Sequence, residues 1–125
     1  MAAHGSFHWN ELNTRDADGA KTFYTHTIGW SFEGMPMESG GTYWVAKSGE
    51  QPAGGIFNMQ GPQFEGVPEH WLAYIAVDDV DARLAKAVAL GAAVLREPFD
   101  IPGVGRIAIL RDALGAVIGL ITPAS

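Results

Sequence analysis

His8-Trp9-Asn10-Glu11-Leu12-Asn13-Thr14-Arg15-Asp16-Ala17-Asp18 decides how this chain is read, because much of it recurs. His-Trp returns at His70-Trp71, and Asp16-Ala17-Asp18 returns as Asp79-Val80-Asp81. Gly29, which closes the first helical pattern, has its counterpart in Gly91. A module this small cannot close a core alone. It must pack against its twin, and the cleft between the two is the natural place for a ligand.

Outward from that stretch the elements follow in order. Phe7–Thr14 reads as a strand. Residues 16–28 read as a helix with Asp16 as N-cap, Asp18 in the first turn and one apolar stripe of Ala20, Phe23, Tyr24, Thr27 and Ile28. Gly29 ends it as a left-handed cap. Trp30–Met37 is a second strand. The Ser39-Gly40-Gly41 turn leads into Thr42–Lys47, and Ser48-Gly49-Glu50-Gln51 turns back into Gly54–Met59. The first half is therefore β-α-β-β-β, about 7–59, and a linker with Pro62 and Pro68 fills 60–69.

The second half, about 70–123, repeats the order. It comprises a strand over Trp71–Val77, a helix over 79–90 begun by Asp79 and ended by Gly91, and a short strand over Ala93–Glu97. A loop rich in Pro and Gly then delivers Arg106–Arg111, and Asp112-Ala113-Leu114-Gly115 turns into Ala116–Thr122. The His-Trp pairs are offset by 70 − 8 = 62, the Asp-x-Asp pairs by 79 − 16 = 63. A one-residue slip swaps the faces of a strand, so it sends Trp9 toward the cavity and Trp71 toward the helix.

Composition bounds the function. The 125 residues suit one domain, and 47% hydrophobic content is too much for a disordered chain. Eight basic and fourteen acidic residues leave a net charge of −6, which argues against nucleic acid or an anionic membrane surface as partner. No window holds the ~18 apolar residues needed to span a bilayer. Residues 1–6 lack the regions of a signal peptide, so a cytoplasmic protein is the expectation. Without cysteine there is no disulfide, thiol nucleophile or thiolate metal site.

Three stretches carry a family likeness. Phe23-Tyr24 followed by Ile28-Gly29-Trp30 is similar to an "FY…lGW" pattern, and Val77-Asp78-Asp79-Val80-Asp81 to "V-x-D-V-D". Gly105-Arg106 through Asp112-Ala113-Leu114-Gly115 to Gly119-Leu120-Ile121 resembles a "GR…DP-x-G" ending, with Ala113 where proline is usual. Together they resemble the vicinal oxygen chelate superfamily of glyoxalase I, extradiol dioxygenases and bleomycin-resistance proteins, in its glyoxalase-like branch. The resemblance implies an α+β fold of two β-α-β-β-β modules whose strands curl into an incomplete mixed barrel with helices outside. It also implies a homodimer.

Metal-dependent members place a His or Glu on the first and last strand of each module. Carried over, those positions fall on Trp9, near Gly54 or Gly55, on Leu72 and on Gly119, none of which offers a side-chain donor to a divalent ion. A shifted set of Glu11, His70 and His8 finds no carboxylate or imidazole on the last strands to complete it. No metal or other cofactor is therefore expected.

The expected pocket is apolar and aromatic, lined by Trp9, Asn13, Trp44, Leu72 and Tyr74, with Gly55 and Gly119 leaving room for a ligand near the backbone. Any one of these aromatics can equally be plain core. Glu11, between Trp9 and Asn13, suits general-base work if burial favours its protonated form, and is otherwise a solvated rim carboxylate. His70 is an acid or base at the mouth, or merely solvated. Arg106 reaches over a bound anion or pairs with Asp100. Three functions follow in order: metal-independent small-molecule binding, an enzyme moving protons with Glu11 and His70, and a divalent-metal glyoxalase or dioxygenase.

Overall fold

The computed structural model describes residues 3–37 and 40–124, so Ser39 of the expected turn and the first two residues lie outside it. The fold is α+β, with two β-α-β-β-β modules in sequence. The described residues form two compact units, one of Trp9–Trp71 and one of the residues through His8 together with those from Leu72 on. None of their helices is long and apolar enough to cross a membrane.

Module one comprises β1 (Phe7–Thr14), α1 (Ala17–Ile28), β2 (Ser31–Pro36), β3 (Thr42–Ser48) and β4 (Gln51–Asn58). Its strands lie in the order β2-β3-β4-β1, antiparallel except for the parallel β4–β1 pair. Helix α1 starts where Asp16 Oδ1 accepts the Gly19 N–H at 2.8 Å, and it stops at Gly29, whose φ of +79° only glycine adopts freely. Leu12, Ile56 and Trp44 stand side by side across β1, β4 and β3. They pack with Ala17, Ala20, Tyr24 and Phe32 as the module's core. The alternating row, Glu11, Gly55 and Val45, faces away from α1.

Module two repeats this with β5 (His70–Ala76), α2 (Val80–Ala89), β6 (Ala93–Ile101), β7 (Gly105–Arg111) and β8 (Val117–Pro123), in the order β5-β8-β7-β6. Ile75, Leu120 and Ala108 form the row toward α2, among Val77, Val80, Leu84 and Leu110. Tyr74, Gly119 and Ile109 form the row that faces away. The last strand of each module also ties down its helix. Asn58 Oδ1 accepts the Ala17 N–H at 3.0 Å, and Thr122 Oγ1 accepts the Val80 N–H at 3.1 Å. Each bond satisfies one of the amides that a helix start leaves without a partner.

Three segments differ from expectation, the first being β4, which begins at Gln51 rather than Gly54 and ends at Asn58. β6 does not end at Glu97 but continues through Pro98 to Ile101, with register shifts between Val94 and Arg96 and between Arg96 and Phe99. A proline lacks the N–H a ladder needs, and a bulge is where its absence costs least. The linker is also less open than its composition suggests. Residues Pro62–Phe64 make a 3-10 turn, Phe64 meets Phe57 edge-on at 5.7 Å, and Arg15 Nη1 lies 3.1 Å from Glu69 Oε2.

From the first turn of α2, Arg83 donates through Nε and Nη2 to the two carboxylate oxygens of Asp78, just ahead of the helix, both at 2.9 Å. Those bonds hold the Asp78 carboxyl at about 2, below its ordinary 3.8. The pair's contribution to stability is therefore present above pH ~4 and is lost as pH falls toward 2. It is small, because both groups meet solvent. A carbon-detected NMR titration should give Asp78 a midpoint near 2, and an ordinary aspartate midpoint would show the fork is not formed in solution.

Candidate functional site

The row of module one that turns from α1 carries four of the ten expected site residues. Trp9, Glu11 and Asn13 alternate along β1, with Gly55 beside Glu11 and Phe57 beside Asn13 on β4. The indole Nε1–H of Trp9 donates to the Tyr43 hydroxyl at 2.9 Å. That hydroxyl lies against Gly55, where a Cβ would overlap it and would sit 2.7 Å from Tyr43 Cε2. Asn13 is buried, and its Nδ2–H donates to the Glu11 carbonyl at 3.3 Å. Glu11 is half-buried.

The two glycines at β4 separate cleanly. Gly54 faces the α1 side, where a Cβ would come 2.8 Å from the Asn10 carbonyl oxygen, so it is Gly55 that shares the row with Glu11. Trp44 stands on the α1 side too. Its ring packs in the core and carries the Lys21 ammonium 3.2 Å from its centroid. Trp71 is drawn to the helix, its ring meeting Tyr24 at 5.7 Å and Trp30 at 6.2 Å. His70 Nδ1 lies 2.8 Å from the Pro68 carbonyl oxygen. A carbonyl only accepts, so in this bond Nδ1 carries a proton.

Module two repeats the central feature. Leu72 and Tyr74 are buried, and the Tyr74 ring lies over Gly119, where a Cβ would stand 2.5 Å from Tyr74 Cε2. The room expected at Gly55 and Gly119 is thus taken by tyrosine rings. Arg106 lies on the α2 side of its sheet. Its Nε and Nη2 donate to Asp81 at 3.1 and 3.2 Å, and Nη1 to Asp100 at 3.2 Å. Those carboxylates raise its proton affinity further, and they hold it as a structural clamp between α2 and β6.

No three His, Asp or Glu side chains gather as a metal site among the described residues. Trp9, Leu72 and the two ring-covered glycines bring no oxygen or nitrogen donor to the positions that the resemblance points to, so these side chains do not fit a four-ligand divalent ion. Tyr43 was not among the expected residues. Its signal lay in Gly55, since a glycine on a central strand often marks close approach by another group.

A family model described as the Glyoxalase/Bleomycin resistance protein/Dioxygenase superfamily matches residues 6–120. The chain belongs to this superfamily. Within it, the chain is 44% identical over 120 residues to "Putative glyoxylase CFP32" of Mycobacterium tuberculosis, covering 96% of this chain and 45% of that protein. It is 27% identical over 129 residues to the anthracycline biosynthesis protein DnrV of Streptomyces peucetius, covering 94% and 47%. The chain spans about half the length of these curated relatives. Among solved structures of the superfamily fold, the methylmalonyl-CoA epimerase of Streptomyces coelicolor in complex with 2-nitronate-propionyl-CoA aligns with a TM-score of 0.69. That alignment has 20% identity and covers 98% of this chain and 100% of that one.

Proposed function

We propose that this chain binds a small, largely apolar or aromatic organic molecule without a resident metal ion. The binding surface is the sheet face that carries Trp9, Glu11 and Tyr43. The observation that carries this reading is the Trp9–Tyr43 hydrogen bond over Gly55: aromatic groups stand where the superfamily's metal ligands would. A planar aromatic ligand matches such a face, since flat rings gain from stacking and edge contacts beyond the area they bury. The relative named for anthracycline biosynthesis supports the same ligand class.

A second reading is favoured by one residue. Glu11 stands in the same row beside Gly55, where it is placed to exchange a proton with a bound ligand, and the structural neighbours include an epimerase. His70 Nε2 would be the partner acid or base.

One experiment addresses both. Trp9 should report a planar aromatic ligand by quenched emission, with an affinity unchanged after exhaustive dialysis against a chelator. Stoichiometric metal in the purified protein, with binding lost on chelation, would sink the metal-free reading. Glu11→Gln should alter affinity alone if the chain only binds. If it abolishes turnover of an enolisable ligand, the enzyme reading replaces the first.

A further inference from the structure

We propose that the sheet of module two carries a second ligand site, a pair of arginines that binds a small amphipathic carboxylate, aryl or acyl. The proposal stands on module two alone and does not depend on the reading of module one. Strand register sets its geometry. Arg111 on β7 pairs with Ala93 and Val117, and Arg96 on β6 pairs with Ile109, two residues before Arg111. Ile109 belongs to the row that faces away from α2, so both arginines share that face. They are diagonal neighbours across β6 and β7, a relation that sets residues about 7–8 Å apart. Both are exposed. The Arg96 guanidinium is also oriented, since it lies 4.0 Å from the centroid of the Phe99 ring, and Phe99 pairs with Ile107 on the same face. A guanidinium stacked in this way keeps its N–H edge for an acceptor.

Charge is sorted across this sheet. On the α2 side, Arg83 is held by Asp78, and Arg106 by Asp81 and Asp100. Glu97 lines a hollow there with Leu84, Val88 and Val94. Asp112 Oδ1 accepts the Leu114 and Ala116 N–H groups of its own turn, both at 2.9 Å. On the opposite face, the residues that β6, β7 and β8 pair with one another include Arg96 and Arg111 and no acid. Among the described residues neither arginine has an ion-pair partner. Two like charges this close repel, and an anion held between them removes that cost. The planar fork of each arginine matches a carboxylate. Beside the charges, Phe99, Ile109 and Val117 offer apolar surface, which selects an anion with an organic body over a bare one. Two cations are too few for a polyanion.

The test compares 2-naphthoate with 2-naphthamide, which share one ring system and differ in charge. By calorimetry the unmodified protein should bind naphthoate about tenfold more tightly, as exposed charge-assisted contacts allow. The Nε–Hε resonances of Arg96 and Arg111 should move with naphthoate and stay in place with naphthamide. Arg96→Gln and Arg111→Gln should each remove most of the preference. Lys86→Gln, which deletes an exposed cation on α2, should leave it intact. Inorganic phosphate should bind about tenfold more weakly than naphthoate or worse, because it buries no apolar surface. Equal affinity for naphthoate and naphthamide overturns the proposal, as do unmoved arginine resonances or a preference that survives both arginine variants. Phosphate binding as tightly as naphthoate overturns the amphipathic ligand class. Each of these failures leaves the reading of the Trp9 face standing, since tryptophan emission tests that face separately.

Discussion

Replacing Gly105 by alanine should lower the melting temperature by about 10 °C or more, a loss on the order of 3 kcal/mol. Gly105 opens β7 with φ at +146°, a backbone conformation that side chains other than hydrogen rarely adopt. A Cβ there would overlap the Thr122 carbonyl oxygen and lie 2.9 Å from Pro123 Cα. Both obstacles are backbone, so no rotamer change relieves them. The only escape is to separate β7 from β8, whose register pairs Gly105 with Pro123 and Arg106 with Thr122. That would disturb Thr122, whose hydroxyl accepts from the Val80 N–H and donates to the Val77 carbonyl. One methyl group therefore reaches the start of α2 through the hairpin. Gly103→Ala is the control. It also has positive φ, at +79°, but nothing lies within 4 Å of its Cβ, so it should cost distinctly less. Equal losses from the two would show that backbone angle alone, and not the approach of β8, makes Gly105 necessary.

Much of this fold is legible because its signals are local. Asp16, Gly29 and Asp79 act through bonds within a few residues of themselves, and each sits where its chemistry places it. The repeat carried further still, since Leu12 beside Ile56 in one module corresponds to Ile75 beside Leu120 in the other. Strand parity was not legible, and Trp44 shows why. The turn pairs Ser48 with Gln51, and unbroken counting from there would set Trp44 opposite Gly55, on the ligand face. A register shift at Ala46 and Lys47 admits one extra residue on β4, so Val45 faces Gly55 and Trp44 turns to the core. A single bulge reverses every side chain beyond it, and no residue type in Gln51-Pro52-Ala53-Gly54 announces it unambiguously. Tyr43 reached the site by the same shift. Arg106 failed to reveal its place for a different reason: of its two acids, Asp100 is near in sequence, but Asp81 meets it only through the tertiary packing of α2.

Gly55→Ala should cost about 1–3 kcal/mol and remove the Trp9–Tyr43 bond, whereas in a Tyr43→Ala background the same change should cost much less. Gly55 has no positive φ, so alanine suits its backbone. What opposes a Cβ is the Tyr43 phenol, with its hydroxyl in the same space and Cε2 2.7 Å away. The ring must swing about its own Cα–Cβ bond, and the indole N–H of Trp9 then loses its acceptor in a half-buried setting. Emission from Trp9 should shift as that bond breaks, before any unfolding. The double variant separates cause from consequence. If the ring is the obstacle, removing it makes alanine at 55 nearly neutral, so the two changes couple strongly. Simple additivity of the two losses would mean that Gly55 is needed for the backbone of β4 rather than for the tyrosine. Gly54→Ala brackets the result, because its obstacle is the Asn10 carbonyl, which no side-chain deletion can clear. The same logic extends to Gly119 beneath Tyr74. In both modules, then, a tyrosine ring occupies the space that a side chain at the glycine would fill.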